Sequence, residues 1–332
     1  MDIKTVSVVV TTYNRTIKLE QCIRALLAQV LDENVELKII IVDDCSLSEN
    51  QKEVLRIASI SDCITPIINP SNRGLSGSRN VGAAYCQSDY ILFLDDDIMV
   101  EPYYVMGHLS LLSLQDRLAT VGSLQFPPNL TRGNNLMRYL SSRELRQRNF
   151  NQDFLNDLPA QYLGGGVCGM RYVDFKAVNG FNEHFTFYGG EDVEMGISLK
   201  QKGVRILYAP LAKADHYDLV NIDRYREKYM EAGREGVKLI LKSDKNFYHN
   251  SPIQFILPST NNNSIKNRVI RFFVPLILGK YSEIVLRKIA NITINHRILY
   301  SEYLYHALFA CWMFAGLRDE KSVEKSKVKY SN

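Results

Sequence analysis

Short apolar runs alternate with amphipathic segments along the first 100 residues of the chain. Three runs of Val, Ile and Leu are too short for helices, and each ends in a polar cluster. They are Val6–Val10, Leu37–Val42 and Tyr90–Leu94. Such continuous runs are typical of strands buried on both faces of a parallel sheet. Ile17–Val30 has apolar residues at helical spacing and predicts a crossover helix. We therefore predict an α/β fold with a mainly parallel, Rossmann-like sheet flanked by helices.

Acidic residues follow two of these predicted strands, at Asp43-Asp44 and at Asp95-Asp96-Asp97. The carboxyl ends of parallel strands meet at one edge of a sheet, so we expect these carboxylates to lie close together. Their mutual repulsion favours a bound cation, and Mn²⁺ or Mg²⁺ prefers such oxygen ligands. A solvated acidic turn is the alternative for the triplet taken alone. A two-residue strand period would place Asp95 and Asp97 on one side and Asp96 on the other.

Three further segments contain candidate chemistry. Gly189-Gly190-Glu191-Asp192 precedes a predicted helix, where the carboxylates could act in catalysis or only stabilise the helix start. Asn72–Gly82, placed before a helix, has glycines, hydroxyls and two arginines that suit a diphosphate or a surface turn. His216 follows a strand-like run, and a lone histidine is more often structural than a ligand. Neither a Walker loop nor a GxGxxG fingerprint follows the first strand, so a metal is expected to carry phosphate charge.

The ordered series of motifs resembles the family-two glycosyltransferases. The motifs are Thr11–Arg15, Val42–Ser46, Asn72–Gly82, Phe93–Asp97, Asn179–Phe181 and Gly189–Asp192. The Gly-Gly-Glu-Asp element and His216 are also similar to those of the β-1,4-galactosyltransferases. The resemblance covers about residues 5–218. It implies a GT-A fold and an inverting transfer from a nucleotide sugar, with a UDP-sugar as the expected donor and a glycan or lipid-linked hydroxyl as the acceptor.

The resemblance also implies a role for each residue that binds the donor. The implied nucleotide-sugar-binding residues are Thr11, Tyr13, Arg15, Asp44, Arg79, Asp95 and Asp96. Thr11, Tyr13 and Arg15 would line the nucleoside pocket. Asp44 would accept a hydrogen bond from the base, and Arg79 would approach the diphosphate. Asp95 would face the ribose or the sugar.

By the same resemblance, Asp97 and His216 would ligate the metal, Mn²⁺ or Mg²⁺. Asp192 would be the general base, and Glu191 would position the acceptor hydroxyl. One base suffices for this chemistry, because the leaving nucleoside diphosphate is a stable anion whose charge a metal can meet.

Two features depart from the family pattern. Cys45 follows the paired aspartates, where glycine is usual. The Gln-x-x-Arg-Trp element of processive synthases is absent and the one tryptophan, Trp312, lies elsewhere, so we expect a non-processive enzyme. The alternatives are a metal-dependent nucleotidyl or phosphoryl transferase and a non-catalytic GT-A-like subunit that binds a partner enzyme.

Charge divides the 332-residue chain into two regions. Residues 1–220 contain 21 Lys and Arg against 26 Asp and Glu, whereas residues 221–332 contain 19 against 10. We predict an acidic GT-A catalytic domain over 1–220, with a nucleotide-sugar half at about 1–100 and an acceptor half at about 101–220. A basic helical region would follow over 221–332. The six dispersed cysteines show no zinc-ligand spacing, so we expect buried thiols.

The basic region allows two interpretations. It is either a solvated helical surface or a basic, aromatic face that rests on an anionic membrane. The residues behind the second interpretation are Arg268, Arg271, Phe272, Phe273, Val274, Leu276, Ile277, Leu278, Lys280, Arg287, Lys288 and Arg297. No nucleic-acid motif accompanies the charge, so no nucleic-acid partner is expected. The start of the chain lacks a secretory pattern, which predicts a cytoplasmic protein that could be peripheral on the inner face of the cell membrane.

Overall fold

The computed structural model describes residues 3–144, 155–187, 189–218, 221–248, 274 and 277–329. The chain forms two compact units. The first comprises Met1–Pro128, Ser141–Thr186 and Glu191–Asp218, and the second comprises Asn129–Leu140, Phe187–Gly190 and Leu219–Asn332. All of the predicted site residues belong to the first unit.

One eight-stranded sheet organises the first unit and confirms the predicted α/β class. The strands are β1 (Lys4–Thr12), β2 (Val35–Asp43), β3 (Ile64–Ile68), β4 (Tyr90–Asp95), β5 (Ile98–Val100), β6 (Leu118–Gln125), β7 (Val167–Arg171) and β8 (Arg205–His216). Their order is β3-β2-β1-β4-β7-β6-β8-β5. Strands β1 to β4 pair in parallel, β6 pairs with β8 in parallel, and β7 and β5 join antiparallel. The Val and Ile runs of β1, β2 and β4 are buried, as their composition predicts.

Helices cover this sheet and build the second unit. They are α1 (Thr16–Leu27), α2 (Ser48–Ala58), α3 (Gly74–Ala84), α4 (Tyr104–Leu112), α5 (Pro128–Thr131), α6 (Asn135–Arg143), α7 (Tyr172–Ala177), α8 (Glu191–Gln201), α9 (Ile222–Glu231), α10 (Val237–Ser243), α11 (Lys280–Thr293) and α12 (Glu302–Lys329). Helix α1 is the predicted crossover.

The segment Asn72–Gly82 corrects a prediction, because most of it is helix α3 rather than a loop before a helix. The start of the helix is held by Asp44, whose carboxylate accepts from the backbone N–H groups of Arg73 at 2.8 Å and Gly74 at 2.9 Å. Gly82 then packs directly on the sheet, where a Cβ would overlap Val9 and Val42. Gly82 therefore serves close packing of the helix on the sheet, whereas Gly74 provides the left-handed φ of 70° at the start of the helix.

The second unit has an aromatic core. Phe309 lies between the rings of Tyr139, Tyr229 and Trp312, with ring centroids 5.1, 4.5 and 5.1 Å away. Buried Glu283 accepts from the indole N–H of Trp312 and from Arg226, each at 3.1 Å. Among the described helices, none is both long and apolar enough to cross a membrane. Arg268, Arg271, Phe272, Phe273 and Leu276 of the predicted basic face lie outside the described residues.

Cys45 occupies the turn in which the family resemblance leads us to expect glycine. Its φ is 63°, in the left-handed region that side chains with a Cβ rarely adopt. The chain therefore stores backbone strain where strand β2 delivers Asp43 and Asp44 to the site.

We expect Cys45→Gly to raise the free energy of unfolding by about 1 kcal/mol, because glycine adopts this conformation without a steric cost. Urea denaturation followed by circular dichroism measures the change. Cys63→Gly is the matched control, since Cys63 is also half-buried but has no left-handed φ, and it should destabilise. Equal destabilisation by the two variants would contradict the assignment of strain.

Candidate active site

The carboxyl edge of strands β1 and β4 places Thr11, Thr12 and the aspartate triplet together. Thr11 lies beside Asp95 in the parallel register. The hydroxyl of Thr12 donates to Asp96 Oδ2 at 2.6 Å. Burial of Asp96 raises its pKa to about 7, although Thr12 and the positive charge of Arg15 oppose the shift. The register of two neighbouring strands thus fixes the first part of the site.

Arg15 joins the last two aspartates of the triplet. Its guanidinium lies 2.7 Å from Asp96 Oδ1 and 2.7 Å from Asp97 Oδ2. Strand β4 ends at Asp95, so the two-residue period does not continue through the triplet. The predicted grouping of Asp95 with Asp97 is therefore wrong: Asp96 and Asp97 converge on Arg15, and Asp95 faces a different arginine.

Asp97 and His216 meet although 118 residues separate them in the chain. The antiparallel pairing of β5 with β8 sets Ile98 opposite His216, and the N–H of Tyr217 donates to the Asp97 carbonyl at 2.9 Å. His216 Nε2 then lies 3.5 Å from Asp97 Oδ1. The ring of Phe126 stacks on the imidazole with centroids 5.0 Å apart.

Each partner shifts the other's pKa. Burial alone would raise the pKa of Asp97, but the hydrogen bond and positive charge of His216, together with Arg15, hold it well below its usual range. Burial would lower the pKa of His216, yet Asp97 raises it. The site thus keeps Asp97 ionised, which is the form that binds metals.

A second carboxylate, that of Asp218, joins Asp97 and His216 in a group that fits a divalent metal. One ligand atom from each of Asp97, His216 and Asp218 lies within 4.8 Å of the others. Two carboxylate oxygens and one imidazole nitrogen suit Mn²⁺ well, since carboxylates favour hard cations and imidazole favours transition metals. Asp97 and His216 were predicted from the sequence, whereas Asp218 was not. Its position two residues after His216 was the available signal.

Arg79 forms a buried bridge between the donor motif and the predicted catalytic pair. Its side chain is 2% exposed, and it donates to Asp95 Oδ1 at 2.9 Å and to Glu191 Oε1 at 3.3 Å. The guanidinium also lies 5.1 Å from the centre of the Phe181 ring. A Cβ on Gly165 would overlap Arg79, and one on Gly166 would overlap Asp95. This loop therefore needs glycine to close over the bridge.

Glu191 and Asp192 occupy the first turn of α8, which follows two glycines with φ of 93° and 105°. Glu191 is buried, and its Oε2 has no hydrogen-bond partner among the residues that the structure describes. Burial and the adjacent negative charge of Asp192 raise the pKa of Glu191, while Arg79 lowers it. Burial also raises the pKa of Asp192, which accepts from the N–H of Val193 at 2.8 Å. Both carboxyl groups therefore have a raised pKa, and perturbed pKa values are common among catalytic acids and bases.

The remaining predicted residues lie along the same edge. Tyr13 is half exposed, and Asp44 is buried. Both carboxylate oxygens of Asp44 accept hydrogen bonds from within the protein, including one from Asn69 at 3.0 Å. In this structure Asp44 stabilises the start of α3, and its contact with a base stays a prediction.

Comparisons with known proteins identify the family of this chain. Residues 7–178 match glycosyl transferase family 2, and residues 147–222 match the N-terminal domain of galactosyltransferase. A candidate polypeptide N-acetylgalactosaminyltransferase 13 of Drosophila melanogaster is 31% identical over 165 residues, which are 46% of this chain and 29% of that protein. The chain thus spans less than a third of this relative's length.

Two solved structures share the fold. The mannosyltransferase of Pyrobaculum calidifontis, in complex with GDP-Man and Mn²⁺, has a TM-score of 0.60 at 14% identity, over 95% of this chain and 86% of that one. Staphylococcus aureus TarS 1–349, in complex with UDP, has a TM-score of 0.54 at 16% identity, over 97% and 92%. The fold is therefore that of the GT-A glycosyltransferases. Because the family match covers more than half of the chain, this protein belongs to glycosyl transferase family 2.

Proposed function

We propose that this glycosyltransferase is metal-dependent and inverting, and that it moves a sugar from a UDP-sugar to a hydroxyl of a glycan or lipid-linked acceptor, one or a few sugars at a time. One observation supports this most strongly. A carboxylate–imidazole metal group and a buried carboxylate pair occur in the same unit, and the triplet Asp95-Asp96-Asp97 contributes to both: Asp97 to the metal group, and Asp95 to the bridge that reaches Glu191.

Asp97, His216 and Asp218 would hold Mn²⁺ or Mg²⁺. When bound, such an ion neutralises the diphosphate of the donor and stabilises its departure. The two structural neighbours were solved with GDP-Man and Mn²⁺ or with UDP, which supports a nucleotide-sugar donor.

Arg15 and Arg79 would have different roles in the reaction. Arg15 is 41% exposed and pairs with Asp96 and with Asp97 of the metal group, so it is the arginine that can turn towards a diphosphate. Arg79 is buried between two carboxylates and has little access to a ligand. We therefore assign Arg79 a positioning role in place of the diphosphate contact that the family resemblance implies.

Asp192 would remove the proton from the acceptor hydroxyl. That oxygen then attacks the anomeric carbon from the side opposite the diphosphate, the bond to the diphosphate oxygen breaks, and the configuration inverts. Glu191, held by its ion pair with Arg79, would position the acceptor hydroxyl for this attack. No second acid is needed, because the nucleoside diphosphate leaves as a stable anion.

Asp97→Ala should abolish Mn²⁺-dependent binding of UDP, and Asp218→Asn should weaken it by at least about tenfold, because each removes a ligand from the group. Calorimetric titration of UDP with and without Mn²⁺ measures both. Asp215→Asn is the matched control, since Asp215 adjoins His216 but accepts from Gln125 at 2.7 Å. Unchanged Mn²⁺-dependent affinity in Asp97→Ala would contradict the metal assignment.

Asp192→Asn should lower the transfer rate by about a hundred- to ten-thousand-fold, because the amide cannot accept the acceptor's proton. UDP release from a panel of UDP-sugars and acceptors measures the rate, and UDP affinity should stay unchanged. Asp174→Asn is the control, because Asp174 also lies in the first turn of a helix but contacts none of the site residues above. A fully active Asp192→Asn variant would remove Asp192 as the base.

Arg79→Gln should shift the acid limb of the pH–rate profile upward by about one pH unit. The pKa values of Glu191 and Asp192 are already raised by burial, and loss of the nearby cation raises them further. The base is then protonated, and the rate falls, at a higher pH than in the parent. Arg79→Lys keeps the charge and should retain a profile close to the parent's. If Arg79→Gln folds and its limb does not move, Arg79 does not act on this pair.

A further inference from the structure

Helix α11, in the second unit, presents its apolar side chains outward. Tyr281 is 87% exposed, Val285 55%, Ile289 43% and Ile292 70%. Their spacing of four, four and three residues puts them on one side of the helix. The buried positions are Glu283, Ala290 and Thr293, so this helix turns small or polar residues inward and large apolar residues to the surface.

This arrangement reverses the usual one. A helix that only packs on its own protein buries its apolar stripe and exposes its polar side. Single exposed apolar residues are common, but a continuous exposed apolar stripe is typical of a surface that binds another protein or a membrane. Two more exposed residues of this kind follow, Ile298 between the helices and Tyr303 in the first turn of α12, which are 98% and 87% exposed.

The charged residue within this stripe is basic, and the acidic Asp223 of α9 that reaches α11 pairs with Arg287. Between residues 277 and 301 the only acidic residue is Glu283, which is buried against Trp312 and Arg226. Lys288 lies within the stripe, between Val285 and Ile289, and is exposed, as are Lys280 and Arg297. Tyrosines occur near both ends, and tyrosine prefers the boundary between hydrocarbon and water.

We propose that the outward face of α11, formed by Tyr281, Val285, Lys288, Ile289 and Ile292, lies on an anionic lipid bilayer. Its apolar side chains enter the headgroup and acyl boundary, and its cations meet acidic headgroups. This inference goes beyond the proposed transfer reaction and does not depend on it.

A second copy of this chain fits the face less well. A symmetric contact between two copies of the stripe would bring Lys288 close to its own counterpart without an acidic residue to compensate either charge. An anionic bilayer provides both the apolar phase and the negative charge. The surface also differs from the one predicted from sequence: it is a defined helix face, and its apolar side chains outnumber its cations.

The test is co-sedimentation of the full chain with phosphatidylcholine vesicles, with and without phosphatidylserine. The parent should bind the mixed vesicles, and Val285→Glu/Ile292→Glu should reduce the bound fraction by about tenfold or more. Lys288→Glu should reduce binding to the mixed vesicles specifically. Leu55→Glu is the matched control, because Leu55 is 50% exposed on α2 of the other unit, and it should bind like the parent.

Transfer to a soluble acceptor separates this inference from the proposed reaction. The double variant should keep its melting temperature and its rate of UDP release in solution, because none of the changed residues belongs to the candidate site. Equal vesicle binding by the parent and the double variant would overturn the inference. So would a parent that ignores vesicles but sediments as a dimer, with the double variant a monomer, since the face would then cover a second copy.

Discussion

The main constraint on the first unit is the need to place several carboxylates at one edge of a buried sheet. Ionised groups in a low-dielectric site are costly unless positive charge or hydrogen-bond donors lie close. The protein meets this cost in separate ways. Asp96 is stabilised by Arg15 and by the hydroxyl of Thr12. Asp97 is stabilised by Arg15 and His216. Arg79 pairs with both Asp95 and Glu191. The pairing of β8 with β5 is the part of the sheet that brings His216 to Asp97.

The need to bury these charged side chains also explains why two positions near the site require glycine. Arg79 is a large side chain that is almost fully buried, and the loop over it has room only for the backbone of Gly165 and Gly166. Asp44 is buried too, and its charge is met by the N–H groups that begin α3. Helix starts and glycine loops thus take part in the electrostatics of the edge, and a Cβ added there would displace charged groups.

Sequence patterns predicted those parts of the candidate site that depend only on residues close together in the chain. The apolar runs identified β1, β2 and β4, and the polar residues after them identified the edge. The sequence pattern did not predict which carboxylate pairs with which cation. Strand β4 ends at Asp95, and Asp96 and Asp97 lie in a turn, so the strand period does not set the directions of their side chains. Asp218 and the exposed stripe of α11 were likewise missed, since the first depends on pairing across 118 residues and the second on which side of a helix is covered.

Together these features describe a glycosyltransferase of family 2 in which the triplet Asp95-Asp96-Asp97 contributes both to the proposed metal group and to the ion pairs of Arg79 beside the proposed base. Direct displacement at the anomeric carbon, with Asp192 as the base, predicts inversion, and the configuration of the new glycosidic bond tests it directly. Proton NMR of the purified product should show that the new glycosidic bond has the anomeric configuration opposite to that of the donor. Retention of the donor's configuration would contradict direct displacement with Asp192 as the base.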